Sequence, residues 1–479
     1  MISRVDILAL APEIFMLTSA SIILVLDTFS NDPLRRLTYY LTQLTLILTA
    51  VLVIQLSPEQ TVYAFGNSYI NDGMATVLKV GVFIIGFFAF LYSHEYLKEH
   101  GWLKGEYFVL GLFAILGEMI MISASSLLTV YLGLELLSLS LYAMVAMHRE
   151  STAASEAAMK YFVLGALASG MLLYGMSMIY GVTGSLELAT IATNIESDAN
   201  NILLVFGLVF ILVGIAFKLG AVPFHMWVPD VYQGAPTCVT LFIASAPKLA
   251  AFAMAMRLLV DGLQPLLNHW QGMLIILAIL SMATGNIIAI SQTNIKRMLA
   301  YSAIAHVGFL LLGLLSGTAS GYAGSMFYVI TYAMMSMGAF AMVILLGRKD
   351  FEADQLDHFK GLSDRSPWFA FMMLILMFSM AGVPPFLGFW AKWFVLKELV
   401  DAGFVWLAAT AVFLSIIGAY YYIYVIKLMY FDKADSMTAI KASKQMRFAL
   451  SINGLALLVL GLTPGALLAI CISVMSTVA

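Results

Sequence analysis

Six lysines stand inside apolar runs of this sequence: Lys79, Lys160, Lys218, Lys248, Lys392 and Lys427. At the centre of a membrane helix an ammonium costs about 2.5–3.5 kcal/mol on insertion scales, so each of the six needs either an escape to the surface or a use. Lys427 lies close to the end of its run and can snorkel outward, while Lys79 lies further from an end. Lys160 is a turn inside its run, and Glu135 on the preceding run is an available counter-ion. Lys248 sits mid-run in Ala-Ser-Ala-Pro-Lys-Leu-Ala-Ala, where small neighbours allow close helix approach but bring no charge; its partner must come from elsewhere in the fold. Lys218 and Lys392 occupy the two longest and most interrupted stretches. The chemistry open to such groups is proton transfer. A dry site favours the neutral amine and a nearby carboxylate favours the ammonium, so separating the two expels a proton. His225 and His306, the two histidines within or against apolar runs, can pass a proton through either ring nitrogen.

The two interruptions resemble each other. Residues 220–227 read Gly-Ala-Val-Pro-Phe-His-Met-Trp and residues 382–390 read Gly-Val-Pro-Pro-Phe-Leu-Gly-Phe-Trp, so Pro223, Pro384 and Pro385 mark the breaks. Broken helices in a bilayer are tolerated where they are buried in protein or line a watery cavity. About five helices separate the copies, and an odd number inverts the second relative to the first. This predicts inverted-topology repeats over helices 4–8 and 9–13, with the ion path at broken helices 7 and 12.

The elements that must hold these residues are membrane helices. Of 479 residues 62% are hydrophobic and only 11% charged, with mean hydropathy +0.95, against roughly a quarter charged in soluble domains. Apolar runs of the length needed to cross hydrocarbon recur along the chain, without the alternation of barrel strands. The reading is an all-α integral membrane protein of about fourteen crossings: 7–27, 34–56, 73–93, 105–124, 126–148, 157–180, 201–221, 237–260, 271–290, 298–316, 322–347, 368–400, 404–430 and 448–474. It forms one polytopic domain over 1–479, with 1–104 as the first three helices, 105–260 and 271–430 as the two repeats, and 448–474 as a final helix. Arg4 precedes a run holding Pro12 and Glu13, read as a retained first helix rather than a cleaved leader.

Loop charges test the count, because basic residues collect in short cytoplasmic loops. One side takes Arg35, Arg36, Lys98, Lys104, Arg149, Lys296, Arg297, Arg348, Lys349, Lys360, Arg365, Lys433, Lys441, Lys444 and Arg447; the other takes Arg4, Arg257 and Lys397. A missed helix would scramble the two sets, so the alternation supports fourteen crossings and puts both termini outside the cytoplasm. Cys238 and Cys471 lie far apart in apolar runs, which excludes a disulfide framework and a cysteine-held cluster. No phosphate-binding glycine loop, no facing histidine pairs for haem and no basic stripe for nucleic acid is visible. The expectation is a chain with no cofactor or metal of its own.

The run from His225 to Lys248, His-Met-Trp-Val-Pro-Asp-Val-Tyr-Gln-Gly-Ala-Pro-Thr-Cys-Val-Thr-Leu-Phe-Ile-Ala-Ser-Ala-Pro-Lys, resembles the central signature of the subunit N family of bacterial respiratory NADH:quinone oxidoreductase, complex I. So do Tyr131-Leu-Gly-Leu-Glu135-Leu-Leu-Ser-Leu and Ser155-Glu-Ala-Ala-Met-Lys160-Tyr-Phe-Val-Leu-Gly. The likeness covers essentially the whole chain; the sister subunits L and M and the multisubunit sodium/proton antiporters differ after the Pro-Asp. The resemblance implies a proton-translocating subunit in a bacterial inner membrane, among other membrane and peripheral subunits that hold flavin, iron–sulfur clusters and quinone. It implies that Glu135 and Lys218 pair, that Lys160 assists them, that Lys248 relays protons toward Lys392, and that His225 and His306 lie along the central polar axis. Glu118 departs from the family pattern, and solvation near the outer end of helix 4 is its expected account. The rival readings are a stand-alone cation/proton antiporter of the same fold and a non-conducting assembly scaffold.

Overall fold

The computed structural model describes residues 3–196, 201–349, 351–434, 440 and 442–476; Lys441 of the loop-charge tally lies outside them. Thirteen helices are long and apolar enough to cross a membrane. The two half-helices Pro367–Ala381 and Leu387–Asp401 together make one more crossing, so the described residues hold fourteen. Helices 1 to 6 are Ala11–Thr28, Arg36–Gln55, Gly73–Glu99, Gly105–Ile122, Leu127–Val145 and Thr152–Thr183. Helix 7 is Ile202–Leu219 with the short Trp227–Gly234 beyond its break, and helix 8 is Thr237–Gly262. Helices 9, 10 and 11 are Gln264–Ile290, Ile295–Leu315 and Ala319–Leu346; helix 12 is the broken pair, helix 13 Val405–Tyr430 and helix 14 Lys444–Leu462.

Burial orders these crossings from centre to rim. The apolar windows of helices 8 and 10 are wholly enclosed and helix 11 is 89% buried, whereas helices 1 and 6 are two-thirds open to the surroundings. Leu132, Leu167, Ile276 and Ile416 are exposed on the rim, as expected where lipid rather than water is the solvent. The centre therefore consists of the helices that carry Lys248 and His306. Close packing there uses small residues. A Cβ on Gly285 of helix 9 would stand 2.6 Å from the Ala305 nitrogen of helix 10, and one on Gly308 would stand 2.5 Å from Met282 Cγ.

Both expected breaks are present and end alike. The first half of helix 7 closes on Gly220 (φ 83°) and the first half of helix 12 on Gly382 (φ 86°), the left-handed cap that glycine adopts without penalty. The Val222–Pro223 and Pro384–Pro385 peptide bonds are cis.

Three local expectations are corrected. Helix 8 is itself interrupted: Ser245 leaves helical geometry (φ −119°, ψ −85°) between Thr237–Ala244 and Ala246–Ala255, because Pro247 has no N–H to continue the ladder. The last segment, read as one helix over 448–474, divides at Thr463 and Pro464 into Lys444–Leu462 and Gly465–Met475. Arg257, counted with the outer loops, is fully buried in a π-helical turn, Met256–Gly262. There it donates to both oxygens of Asp72 at 2.8 and 2.9 Å, to Asp261 at 3.0 Å and to the Ile122 carbonyl at 3.1 Å. Asp72 also caps helix 3 through the Ala75 N–H and follows the hairpin of β1 (Val62–Ala64) and β2 (Tyr69–Asn71), so this ion pair ties the outer loops to helix 8. Burial alone would raise the Asp72 carboxyl; the Arg257 guanidinium more than offsets this and holds it below its ordinary range.

Candidate functional site

Each broken helix ends at a carbonyl that accepts from a lysine. Lys248 Nζ, enclosed on helix 8, donates to the Leu219 carbonyl at 2.6 Å, the residue before Gly220. Lys392 Nζ donates to the Ala381 carbonyl at 2.9 Å, the residue before Gly382. The C-terminal end of a helix carries partial negative charge from carbonyls without intrahelical partners, so an ammonium is favoured at both places without a carboxylate. This supplies the partner that Lys248 lacked in the sequence. Aromatic faces complete the two settings: Lys248 lies 5.8 Å from the centre of the Trp227 ring and Lys392 5.1 Å from that of Phe309.

Lys218, one residue before the end of its half-helix, is buried and donates to Ser138 Oγ of helix 5 at 2.9 Å. Its charge and that of Lys248 are near enough to repel. Glu135 lies on the same helix as Ser138 but is not in direct contact with Lys218: it is half-buried and accepts a hydrogen bond from Ser169 of helix 6. A cavity of about 10 Å³, near the size that holds one water molecule, is bordered by Lys218, Ser138 and the Ser169 that donates to Glu135.

The second half has a parallel cluster. Lys392 is half-buried and also donates to Ser415 Oγ of helix 13 at 2.8 Å. A second 10 Å³ cavity joins Lys392 and Ser415 to His306, Asn286, Tyr421 and Tyr422. His306 is buried, with Nδ1 at 2.6 Å from the Tyr328 hydroxyl and Nε2 at 3.0 Å from the Tyr422 hydroxyl, which in turn bonds Ser302 at 2.5 Å. Beside Lys392 a wider cleft of about 720 Å³ runs between helices 12 and 13 toward Lys397 and Asp401 at the outer end.

Other candidates are placed differently. Lys160 does not meet Glu135; it is 43% exposed and pairs with Glu156 at 2.8 Å and Asp230 at 2.7 Å, where Arg297 also reaches Asp230 at 2.8 Å. It has snorkelled to an ion-pair cluster at the end of the bundle. His225 is half-buried in the first break, with Nδ1 enclosed and without a hydrogen-bond partner. Lys79 is satisfied locally by Glu13 at 2.6 Å and the Tyr69 hydroxyl at 2.9 Å. Lys427, 57% exposed, has snorkelled to Asp432. Glu118 contradicts its expected solvation, being fully buried. The hydroxyls of Ser138, Ser169, Ser415, Tyr328 and Tyr422 were missed in the sequence, since such residues are too common there to signal a contact. No group of three or more His, Cys, Asp or Glu able to hold a metal occurs among the described residues.

The family model for the transmembrane part of NADH:quinone oxidoreductases and Mrp antiporters matches residues 124–418. NADH-quinone oxidoreductase subunit N of Thioalkalivibrio sulfidiphilus is 57% identical over 473 residues, 98% of each chain. That of Thiobacillus denitrificans is 55% identical over 467 residues, 97% of each chain. The chain belongs to the NADH-quinone oxidoreductase subunit N family. Among solved structures, a chain of respiratory complex I from Thermus thermophilus is 32% identical, with a TM-score of 0.82 over 96% of this chain and 98% of that one. A chain of the Mrp complex from Dietzia is 19% identical with a TM-score of 0.85 over 99% and 98%, a likeness of fold alone. Within residues 124–418 matched by that family model fall Glu135, Lys160, Lys218, His225, Lys248, His306 and Lys392; Glu118 lies just before them.

Proposed function

We propose that this chain carries protons across the bilayer as a membrane subunit of an NADH-quinone oxidoreductase, a translocase in which other subunits pass electrons from NADH to quinone. The observation that supports it most is the pair of broken helices, each ending on a carbonyl that accepts from a lysine with no carboxylate in contact among the described residues. Such an ammonium is held by dipoles alone, so little energy separates its charged and neutral forms, which is what a relay needs. Lys218 holds a proton against Ser138, and Glu135 lies three residues before Ser138 on the same helix. That proton passes next to Lys248, which the Leu219 carbonyl holds at the end of the broken helix. The His306, Tyr328 and Tyr422 hydrogen bonds carry it onward to Lys392, and the cleft beside helix 13 leads outward. His225 and Lys160 serve the inner end of this path.

In this reading flavin, iron–sulfur clusters and quinone reside in partner subunits, the membrane is the bacterial inner membrane, and both termini face the periplasm. The two repeats, 105–260 and 271–430, act as linked halves of one relay. The test is Lys218→Ala and Lys392→Ala in the assembled complex, with NADH-driven acidification of inverted membrane vesicles followed by a pH-sensitive dye beside quinone reduction. Loss of acidification in both variants is expected. Normal pumping in both would overturn the relay, and intact coupling with a reduced yield of complex would mark the lysines as assembly contacts.

A further inference from the structure

Glu118 is a buried acid to which the relay above gives no task. It is fully enclosed on helix 4, and neither carboxyl oxygen has a hydrogen-bond partner. Helices 4 and 5 cross backbone to backbone at glycines: a Cβ on Gly117 would meet the Leu137 nitrogen at 2.5 Å, and one on Gly133 the Met121 nitrogen at 2.6 Å. The crossing sets Glu118 beside the stretch of helix 5 that bears Glu135 and Ser138, and Ser138 is the residue that holds Lys218. Glu118 and Lys218 are near enough for their charges to act on each other.

An ionised carboxylate without donors in a dry interior costs several kcal/mol unless a counter-charge offsets it. Two acids therefore compete for one ammonium, and the compartment is neutral when one of them is ionised and the other protonated. We propose that Glu118 is a second proton-accepting carboxylate of the Lys218 compartment, taking over as counter-charge when Glu135 is protonated or withdrawn. The proton that Glu118 releases on ionising is the one that Glu135 takes up, so the total charge does not change and the exchange costs little. Lys218 thus keeps a counter-ion throughout the cycle, and the compartment stores two protons over three groups. This inference rests on the relay reading of Lys218.

The test uses Glu118→Gln, Glu135→Gln and the double variant in the assembled complex, reading vesicle acidification and infrared difference spectra. Each single variant is expected to keep reduced but coupled pumping, and the double variant to pump about tenfold less than either, the non-additivity of groups that substitute for one another. A protonated-carboxyl C=O band that Glu118→Gln removes should also vanish in Glu135→Gln, where Glu118 must ionise to balance Lys218. A double variant no worse than Glu135→Gln, or a Glu118 band that persists there, would overturn the proposal. Should Glu118→Gln fail to assemble, Glu118→Asp shifts the same band and decides the question. Normal pumping by Lys218→Ala would instead sink the relay itself.

Discussion

Removing the Ser415 hydroxyl tests how Lys392 is held. Lys392 has two oxygen acceptors, the Ala381 carbonyl at 2.9 Å and Ser415 Oγ at 2.8 Å. Both are neutral, so Ser415→Ala withdraws one of the two hydrogen bonds that stabilise the cation and leaves the neutral amine nearly untouched. A hydrogen bond to a charged group is worth about 1.5–3 kcal/mol. At about 1.4 kcal/mol per power of ten, that is roughly a ten- to hundredfold lower population of the ammonium. If Lys392 must carry a proton in each cycle, the alkaline limb of coupled turnover moves to lower pH by about one to two units. The assay is NADH-driven vesicle acidification over a range of pH, normalised to the content of assembled complex. Ser415→Thr keeps the hydroxyl and should keep the limb in place. A Ser415→Ala profile that superimposes on the unmodified one would refute the reasoning, because it would mean either that Lys392 does not cycle or that its charge is stabilised elsewhere.

Two further substitutions probe the frame around the relay. In Gly382→Ala the new Cβ would stand 2.8 Å from Lys392 Cδ, so pumping should fall while the complex assembles. Gly403→Ala pays the same left-handed backbone cost, about 1–2 kcal/mol, with nothing within 4 Å of its Cβ, and should pump normally; equal effects in both would sink the displacement argument. Arg257→Met strands Asp72 as a buried charge and should cost about 3–5 kcal/mol, seen as earlier thermal inactivation of the purified complex and partly recovered by adding Asp72→Asn. Because Asp72 lies below its ordinary range, its contribution is complete above the usual carboxylate value of about 4 and is lost as the medium is acidified through the lower folded value. Thermal inactivation measured across acidic pH should therefore converge for the unmodified and Arg257→Met proteins.

The crossings were legible because each needs a long apolar run and the loop charges check the count. The breaks at 220–227 and 382–390 were legible too, because each joins a glycine and a proline to a lysine inside the same over-long apolar stretch. The break at Ser245 is written by Pro247 with no glycine before it, whereas Pro464 follows Gly461 at the same spacing as Pro223 follows Gly220, so that break was legible from its glycine and proline. What the sequence hid was pairing. The acceptors of Lys248 and Lys392 are backbone carbonyls, which every residue owns, so no side-chain pattern could announce them. Lys160 was assigned to Glu135 by depth along neighbouring helices, but its long stem let it leave the bilayer for Asp230 and Glu156. Glu118 departs from expectation for the converse reason: nearness to a helix end suggests solvent, yet helix 4 is tightly packed, and the hairpin segment at Ser68 and Ile70 bonds to Ser123 and Ser125 beyond that end.

The lysines at the two breaks are carried in different ways. Lys248 rides on helix 8 and its acceptor on helix 7, so any sliding of one past the other stretches that contact directly. Lys392 and its acceptor ride on the two pieces of helix 12, and only a flexing at residues 382–386 can part them. Sliding between helices 7 and 8 therefore acts on the whole of the first lysine's hydrogen bond, whereas at the second, sliding between helices 12 and 13 reaches only the Ser415 bond and leaves the backbone contact to bending within helix 12.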